Sequence, residues 1–395
     1  MRFPEFSGEW IHCALGDISE VTKLAGFEFT QYVTYEDSGS IIALRGLNCK
    51  NGRLDLSDVK YIDNSNLSKL TRSKLYIGDI LFTYVGTVGE VAIIEENDRY
   101  YLAPNVSRIR LNNGYNPYFV KQLLHTNRFY NKIILPLIAT SSQPALSMEN
   151  VRKFALQIPS ISEQHKISSF LTLLDKRIAT QIKIIEDLKK LKSAISNKLF
   201  SRKDLLETSI SLSEIATLKN GYAFQSSTYN PAGHYKIITI ANVSGARYID
   251  TNSCNSIINI PNDIQEHQIL GEGDILISLT GNVGRVSLCL AGNYLLNQRV
   301  GLLQLALDVD REYVYQALSC KRFEQAMIAC GQGAAQMNIG KGDIENYRIP
   351  YSFNQHNLKL IAATLNACDD IISVETSKLT SLQLQKQYLL AQMFI

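Results

Sequence analysis

The sequence predicts a mixed α/β (α+β) protein made of two copies of one unit, in which a globular part is followed by a long helix. Three observations predict this fold class. Two stretches carry a heptad pattern of apolar residues, and the second repeats the first 194 residues later. The segments before them contain short β-branched and aromatic runs separated by Gly, Asn and Asp, which is typical of a small sheet with many turns.

The first long helix is predicted between Gln164 and Phe200. Apolar residues recur there in strict steps of four and three, which places them on the seam of a heptad helix. Neither Pro nor Gly interrupts the stretch, so at ~1.5 Å per residue it forms a helix of roughly 55 Å that needs a partner of similar length. The seam consists of Ile167, Leu171, Leu174, Ile178, Gln181, Ile185, Leu188, Lys192, Ile195 and Leu199.

The C-terminus of the chain supplies this partner. The same ten positions recur there, and even the polar interruptions coincide, because Gln181 corresponds to Glu375 and Lys192 to Lys386. Two unrelated amphipathic helices have no reason to share both register and interruptions, so we interpret the pattern as an internal duplication. The second seam consists of Ile361, Leu365, Cys368, Ile372, Glu375, Leu379, Leu382, Lys386, Leu389 and Met393.

The duplication extends into the globular parts. The clearest pair of segments is Gly78–Gly89 and Gly273–Gly284, which share the pattern Gly-Asp-Ile-Leu…Gly-x-Val-Gly. Ile41–Asn48 is echoed in the same way by Ile237–Ser244. Strands are predicted at Ile80–Tyr84, Glu90–Glu95, Ser107–Leu111, Ile275–Leu279, Arg285–Leu290 and Gly301–Leu305.

Helix starts are marked by Pro and by polar caps. Asn116-Pro117 predicts a helix through about Phe129, with its counterpart at Asp310–Lys321. Each long helix follows a Pro and a candidate capping box, in which a Ser hydroxyl and an acidic or amide side chain cap each other's turn. The two boxes are Ser160-x-x-Glu163 and Ser352-x-x-Gln355.

Composition limits the function classes. A chain of 395 residues with 45% hydrophobic content has room for two or three domains with their own cores. No apolar run approaches a membrane span, and MRFPEFSGEW lacks a signal-peptide pattern. Seven cysteines without a CxxC pair predict free thiols and a cytoplasmic location. The net charge of +3 permits a nucleic-acid partner without requiring one.

Motifs for catalysis or metal binding are not found in the sequence. It contains no phosphate-binding GxxxxGK[ST] loop, no HExxH and no GxGxxG after a strand. Asn116-Pro117-Tyr118-Phe119 resembles a fragment of the Asn-Pro-Pro-Tyr motif of amino-methyltransferases, but the second Pro and a glycine-rich cofactor loop are missing. A helix start explains these residues better. We therefore predict no catalytic residue, no metal site and no cofactor in this chain.

Three polar loops recur in each copy. Short amides, hydroxyls and Arg suit contacts to base edges and phosphates, and Gly lets the backbone approach a duplex closely. The loop positions stay polar in both copies while their identities differ, which favours two readers of one design tuned to different sequences. The candidate DNA-binding residues are Arg45, Thr83, Tyr84, Gly86, Thr87, Asn105, Ser107, Arg108, Ser141, Ser142 and Gln143 in the first copy, and Tyr222, Ser278, Thr280, Gly281, Asn282, Arg285, Asn297, Gln298, Arg299, Gln332 and Gln336 in the second.

With these features the chain resembles the specificity subunit of type I restriction–modification systems over essentially its whole length. The resemblance rests on the two-copy layout, the two Gly-Asp-Ile-Leu segments, the two long helices and the Pro-x(4)-Gln-His sequences that precede them. Lys219–Phe224 at the head of the second copy is also typical, whereas the first copy departs there with Leu24–Phe29. None of these signals alone would be specific.

The resemblance implies four segments: a first target recognition domain at 1–160, a central spacer helix at 161–202, a second target recognition domain at 203–352 and a C-terminal spacer helix at 353–395. It also implies that the two helices pack antiparallel and relate the domains by a pseudo-two-fold axis. The protein would not be an enzyme. It would bind double-stranded DNA at a bipartite asymmetric site and recruit two modification subunits and restriction subunits, which use S-adenosylmethionine, ATP and Mg²⁺ for adenine methylation and cleavage.

Two other interpretations stay open at this point. A stand-alone DNA methyltransferase would need the cofactor loop and catalytic motif that are missing, and methyl transfer by the isolated chain would support it. A coiled-coil adaptor with two protein-binding heads predicts no sequence-selective DNA binding even with partners present.

Overall fold

The computed structural model describes residues 2–138, 143–331 and 337–394. The chain divides into two compact units, of which one comprises Met1–Thr180 and Leu379–Ile395 and the other Gln181–Lys378. Each long helix therefore contributes to both units. The four-segment division stays a prediction.

The first unit begins with a series of short strands. The strands are β1 (Ile11–Ala14), β2 (Ser19–Lys23), β3 (Ile42–Leu44), β4 (Cys49–Lys50), β5 (Arg53–Leu54), β6 (Lys60–Tyr61), β7 (Ile80–Thr83), β8 (Val91–Ile93), β9 (Tyr100–Leu102), β10 (Val106–Leu111) and β11 (Ala155–Ile158). The helices that begin in this unit are α1 (Leu15–Ile18), α2 (Gly26–Tyr32), α3 (Pro117–Leu124), α4 (Asn127–Phe129), α5 (Met148–Arg152) and the long α6 (Ile161–Leu199).

The second unit repeats this order with fewer strands. Its strands are β12 (Thr208–Ser211), β13 (Ala216–Asn220), β14 (Tyr235–Ile238), β15 (Asn255–Ile257), β16 (Ile269–Leu270), β17 (Ile275–Ser278), β18 (Val286–Leu288), β19 (Tyr294–Leu296), β20 (Val300–Leu305) and β21 (Arg348–Tyr351). Its helices are α7 (Arg311–Leu318), α8 (Lys321–Cys330), α9 (Lys341–Glu345) and the long α10 (Gln355–Met393).

The sheets of the two units share one topology. An antiparallel four-stranded sheet has the order β2-β10-β7-β8 in the first unit and β13-β20-β17-β18 in the second. A second sheet, of three strands in the first unit and four in the second, contains one parallel pair, β3 with β9 and β14 with β19. The predicted strands are observed with ends shifted by one or two residues, and the predicted internal repeat of an α/β fold is confirmed.

The helices that follow the sheets are shorter than predicted. Asn116 caps α3 as expected, because its Oδ1 accepts a hydrogen bond from Phe119 N–H at 3.0 Å. The helix ends at Leu124, however, because Thr126 caps a new turn by accepting from Phe129 N–H at 3.1 Å. In the second unit α7 likewise ends at Leu318 and α8 follows. The predictions of single helices through Phe129 and Lys321 were wrong.

Neither predicted capping box forms. The Glu163 carboxylate is fully buried and accepts two hydrogen bonds from the Arg2 guanidinium at 2.7 and 2.6 Å, so it is engaged away from Ser160. At α10 the capping residue is Asn354, whose Oδ1 accepts from His356 N–H at 3.0 Å. Ser352 instead accepts from Asn354 N–H. The tertiary ion pair with Arg2 at Glu163, and the cap by neighbouring Asn354 at α10, replace the local hydrogen bonds that the sequence predicted.

The predicted heptad seams face protein. All ten seam positions of α6 and all ten of α10 are buried or half-buried. Within the first unit Ile167 and Leu171 of α6 belong to one hydrophobic cluster with Met393 and Phe394 at the end of α10. This contact between the start of one helix and the end of the other is antiparallel, as the resemblance implied.

The polar interruptions of the seams meet partners that were not predicted. In the second unit Gln181 Nε2 donates to Glu375 Oε2 at 2.6 Å, and Lys192 Nζ lies 2.6 Å from Asp369 Oδ1. In the first unit Lys386 Nζ lies 2.6 Å from the Asp175 carboxylate. Asp175 and Asp369 are themselves related by the repeat, so each unit contains one copy of the same Lys–Asp pair.

A buried lysine and a neighbouring half-buried histidine distinguish the first unit from the second. Lys121 on α3 is only 9% exposed, and burial lowers the pKa of its ammonium to about 8. Burial, with the positive charge of Lys121 adding to it, lowers the pKa of neighbouring His125 to about 4. His125 follows the last residue of α3, and the corresponding residue after α7 is Ser319. The second unit thus lacks the imidazole at this place.

We expect acid to destabilise the first unit through His125. Its pKa is lower in the folded protein than in the unfolded chain, so protons bind preferentially to the unfolded chain. The stability that the neutral ring contributes is complete above about pH 6.5 and is lost as pH falls toward 4. His125→Ser should remove roughly 1–3 kcal/mol of this acid dependence, read as a flatter plot of melting temperature against pH. The same substitution at exposed His234 is the matched control. Parallel curves for wild type and His125→Ser would contradict the prediction.

Candidate nucleic-acid interface

Three loops of the first unit are tied together by main-chain hydrogen bonds. Tyr84 N–H donates to the Asn105 carbonyl at 3.1 Å, and the Tyr84 carbonyl accepts from Leu146 N–H at 2.8 Å. Gly86 N–H donates to the Pro144 carbonyl at 2.9 Å. We call these loops, residues 84–90, 103–105 and 143–146, loop cluster 1. They are the three loops that the sequence singled out, and the structure brings their described parts together.

The second unit builds the same frame. Leu279 N–H donates to the Arg299 carbonyl at 3.0 Å, and the Leu279 carbonyl accepts from Ile339 N–H at 2.9 Å. Gly281 N–H donates to the Met337 carbonyl at 3.0 Å. We call residues 279–285, 297–299 and 337–339 loop cluster 2. The two clusters therefore have the same pattern of main-chain hydrogen bonds. We call this pattern the frame.

The Gly-x-Val-Gly pattern is explained by backbone geometry. Gly86, Gly89, Gly281 and Gly284 all have positive φ, between 70° and 96°. A Cβ on Gly89 would lie 2.9 Å from the Tyr130 ring, and one on Gly284 would lie 2.6 Å from the Met327 side chain. The glycines thus allow each loop to turn tightly and to pack against the helix behind it.

The Gly-Asp-Ile-Leu pattern is also structural. Asp79 Oδ2 accepts a hydrogen bond from Tyr76 N–H at 2.8 Å, and Asp274 Oδ2 accepts from Gly271 N–H at the same distance. Asp79 also forms a two-pronged ion pair with Arg110. The Asp in each copy therefore holds the turn that leads into the central strand, and the motif carries folding information rather than a binding group.

Several predicted DNA-binding residues are buried in the sheets. Thr83, Ser107 and Ser278 are fully buried, and their hydroxyls donate to main-chain carbonyls within their own unit. Tyr84 is 9% exposed and Lys23 Nζ lies 5.1 Å from its ring centroid. In this structure these side chains stabilise the loops and adjoining strands from the interior of each unit and are not presented at the surface.

Arg108 is buried as well. It is 2% exposed, donates to the Arg72 carbonyl and to Glu20 Oε1 at 3.0 and 2.8 Å, and burial lowers the pKa of its guanidinium. Successive side chains of a strand point to opposite faces of the sheet, and Arg108 of β10 points to a face that is covered by other parts of the unit. Its role in the described structure is to connect β10 to β2 and to the loop at Arg72.

Other predicted residues line the surface of the clusters. The exposed ones are Thr87, Asn105, Gln143, Asn282, Gln298 and Arg299. The half-exposed ones are Arg45, Gly86, Tyr222, Thr280, Gly281, Arg285 and Asn297. Ser141, Ser142, Gln332 and Gln336 lie outside the described residues.

Arg45 and Tyr222 lie beside the clusters, each with an acidic partner. Arg45 Nη2 donates to Asp58 Oδ1 at 2.8 Å. The Tyr222 hydroxyl donates to Asp263 Oδ1 at 2.8 Å, and the Tyr222 carbonyl accepts from Gln298 N–H at 2.9 Å. The latter bond connects the Tyr222 loop directly to loop cluster 2.

Sequence reasoning missed a pair of buried asparagines, Asn48 and Asn242. Each holds the loop that follows the parallel strand β3 or β14, next to its cluster. The echo between Ile41–Asn48 and Ile237–Ser244 pairs the segments at an offset of 196 residues and so aligns Asn48 with Ser244, whereas the offset of 194 residues found in the long helices aligns Asn48 with Asn242. This correspondence was not recognised because an Asn in a polar loop is ordinary turn chemistry.

Each unit presents one loop cluster with the same main-chain frame, which is the arrangement of a binding protein with two similar surfaces. Among residues 2–138, 143–331 and 337–394, no group of three or more His, Cys, Asp or Glu side chains could hold a metal ion. In the same part of the chain, no helix is both long enough and apolar enough to cross a membrane.

Comparison with known proteins identifies the family. The model of the type I restriction modification DNA specificity domain matches residues 8–190 and again residues 207–384. The chain belongs to this family, with one match for each copy of the repeat. The predicted resemblance is therefore confirmed, and with it a DNA-specificity function for a chain that is not itself the enzyme. The methyltransferase and adaptor interpretations are not favoured.

Individual relatives agree with this assignment. A putative type I restriction enzyme MjaX specificity subunit of Methanocaldococcus jannaschii is 24% identical over 417 residues, which cover 97% of this chain and 92% of that protein. The EcoBI specificity subunit of Escherichia coli is 28% identical over 130 residues, 31% of this chain and 26% of its own. The type I S subunit from M. genitalium has the same fold, with a TM-score of 0.61 at 15% identity, covering 100% of this chain and 99% of its own.

Proposed function

We propose that loop clusters 1 and 2 each read one block of a bipartite, asymmetric site in double-stranded DNA. One observation carries this proposal: the clusters share a main-chain frame but present different side chains from it. Thr87 in the first corresponds to Asn282 in the second, and Glu90 corresponds to Arg285. An identical frame with different hydrogen-bonding groups is what two readers of different base sequences require.

The modification and restriction subunits that bind this chain are part of the same proposal. Members of this family are specificity components that act with methyltransferase and restriction subunits, and we propose that this chain recruits two modification subunits. Large apolar side chains on the outer faces of the long helices support a docking role, because Leu173, Leu191 and Leu384 are 68%, 55% and 61% exposed. We further propose that S-adenosylmethionine, ATP and Mg²⁺ are used by the partner subunits and that this chain holds no cofactor.

The proposed location is the cytoplasm. All seven cysteines lie in the described part of the chain and are free thiols, which fits a reducing compartment. Burial raises the pKa of Cys49 and Cys289 to about 12, so these two thiols are unreactive.

Adenine methylation should appear only when the chain is combined with a modification subunit. We expect the purified chain alone to transfer no methyl group and to bind no S-adenosylmethionine, because its sequence lacks a glycine-rich cofactor loop and a complete Asn-Pro-Pro-Tyr motif. Sequencing that detects methylated adenine, applied to DNA treated with the chain, with the modification subunit and with both, measures this directly.

Only the combined sample should yield a bipartite motif. Methyl transfer by the chain alone would overturn the proposal. Methylation by the combined sample without sequence preference would also overturn it, since the chain would then supply no recognition.

A further inference from the structure

An asparagine brace holds the loop after β3. Asn48 is fully buried, and its Oδ1 accepts a hydrogen bond from Arg45 N–H at 2.9 Å. Its Nδ2 donates to the carbonyls of Asp55 and Asp58 at 2.9 and 2.8 Å. One side chain thus ties Arg45 to the chain ten residues further on. Because the Asn48 amide is fully buried, its loss would remove three hydrogen bonds that hold this loop.

The second unit contains the same brace. Asn242 is 1% exposed, its Oδ1 accepts from Thr239 N–H at 2.9 Å, and its Nδ2 donates to the Asp250 carbonyl at 2.8 Å. The offset of 194 residues that relates the two Asn residues also relates Arg45 to Thr239. The same main-chain position is therefore fixed in both units, while its side chain changes from a long cation to a short hydroxyl.

The braced position adjoins each loop cluster because of strand direction. β3 and β9 are parallel, so the residues that follow them, Arg45 and Ala103, emerge at the same edge of the sheet. A Cβ on Gly46 would lie 3.7 Å from the Asn105 side chain, within loop cluster 1. In the second unit a Cβ on Gly281 would lie 3.6 Å from Ile240, the residue after Thr239.

The guanidinium of Arg45 is only partly engaged. Nη2 donates to the Asp58 carboxylate and carbonyl at 2.8 and 2.9 Å, whereas Nε is buried without a hydrogen-bond partner among the described residues. The Asp58 side chain is 66% exposed, so it is a weak, solvated partner. Because Nε is buried, a bidentate contact with guanine O6 and N7 would use the two Nη atoms, with Nη2 exchanging its solvated Asp58 partner for the base.

We propose that Arg45 and Thr239 are equivalent specificity-determining residues, presented to DNA by the positioning residues Asn48 and Asn242. Arg45 reads a guanine in the block recognised by loop cluster 1. Thr239 makes a shorter contact, to a single base-edge atom or a thymine methyl, in the other block. This inference rests on the proposed function and adds one position in each unit. The buried Asn fixes the main chain at that position, and the side chain at that position selects the base.

Three substitutions in the full complex with the modification subunit test the role of Arg45. Arg45→Ala and Arg45→Lys should each lower selectivity at one guanine of the first block by about 5- to 150-fold, which is 1–3 kcal/mol, and leave the second block intact. Lys keeps the charge but loses the planar fork, so it separates base reading from phosphate contact. Arg99→Ala, which removes an Arg paired with Glu96 in the same unit, is the matched control.

The measurements are the methylated motif and binding to duplexes that differ at single positions. Wild-type selectivity in Arg45→Lys, or an unchanged motif in Arg45→Ala, would overturn the inference while the bipartite motif of the wild type would still support the proposed function. A wild-type complex without any bipartite motif would instead defeat the proposed function itself.

The positioning role has its own readout. Asn48→Ala should relax the same base position as Arg45→Ala although Arg45 is still present, and Asn242→Ala should relax only the other block. Thermal unfolding shows whether each variant folds. If a folded Asn48 variant keeps full selectivity, the brace does not position Arg45; if the Asn variants do not fold, the Arg45 pair decides the inference alone.

Discussion

Exchanging residues 1–160 for the corresponding segment of another specificity subunit should replace one block of the methylated motif and leave the other block unchanged. Loop cluster 1 lies wholly in the first unit, and its frame is formed by hydrogen bonds within that unit. The second unit has its own core and its own frame, so its block has no reason to change. The expected effect is all-or-none for one half of the motif, which makes it larger than that of any single substitution.

The packing at the end of α10 decides whether such an exchange folds. Phe394 packs against Phe119 at a centroid distance of 5.3 Å and against Trp10 at 6.5 Å. The incoming segment must therefore offer aromatic or large apolar residues at both places, or the exchange loses core contacts worth roughly 3–5 kcal/mol for one aromatic side chain. The reciprocal exchange of residues 203–352 is the control. A hybrid that changes both blocks, or neither, would contradict the assignment of one block to each unit.

Shortening both long helices by one heptad should abolish methylation at the original spacing while each block keeps its base preference. Removal of Ile182–Leu188 from α6 and Thr376–Leu382 from α10 takes out seven residues from each, so both seams stay in phase. The Lys192–Asp369 and Lys386–Asp175 pairs can still form, whereas Gln181 and Glu375 lose their bond, because the helices are antiparallel and the two deletions lie on opposite sides of it. Seven residues of helix span ~10 Å, about the length of three base pairs.

The assay is a set of duplexes that carry both blocks with spacers of different length. We expect recognition to shift to a shorter spacer or to be lost, because rotation along the duplex accompanies the change in length. Deleting seven residues from α6 alone is the control, since it mismatches the two seams. A new base preference at the old spacing would show that the helices do not set the distance.

Periodic features were predictable from the sequence because they are local and repeated. The heptad seams and the Asn116 cap each depend on residues within one or two turns of each other, and the duplication appears as the same local pattern repeated 194 residues later. The breaks in α3 and α7 were missed because Thr126 and the residues around Ser319 offer competing turn geometry that an apolar pattern does not reveal. Glu163 was assigned to a capping box because nothing in a linear sequence reveals its bond to Arg2.

The site could be predicted as loops but not atom by atom. Polar character identified segments whose described parts lie together in the first unit, and their contact with DNA stays a prediction. It could not separate Arg108, which is buried within β10, from Arg299, which is exposed just before β20, because both lie in polar segments next to a strand. The pairing of Lys192 with Asp369 was equally hidden, since the register of two packed helices depends on their contacts along the whole seam.

Because the two loop clusters have the same main-chain hydrogen bonds but different side chains, the conformation of the loops does not depend on which bases they recognise. The bonds from Tyr84 and Leu279 involve only peptide groups, which every amino acid except proline carries in full. Exposed side chains such as Thr87 and Asn282 can therefore be replaced without removing these main-chain bonds, and a change of target costs the fold little. A gene with this architecture can explore new DNA targets by single substitutions while glycines, buried asparagines and main-chain hydrogen bonds continue to hold the fold.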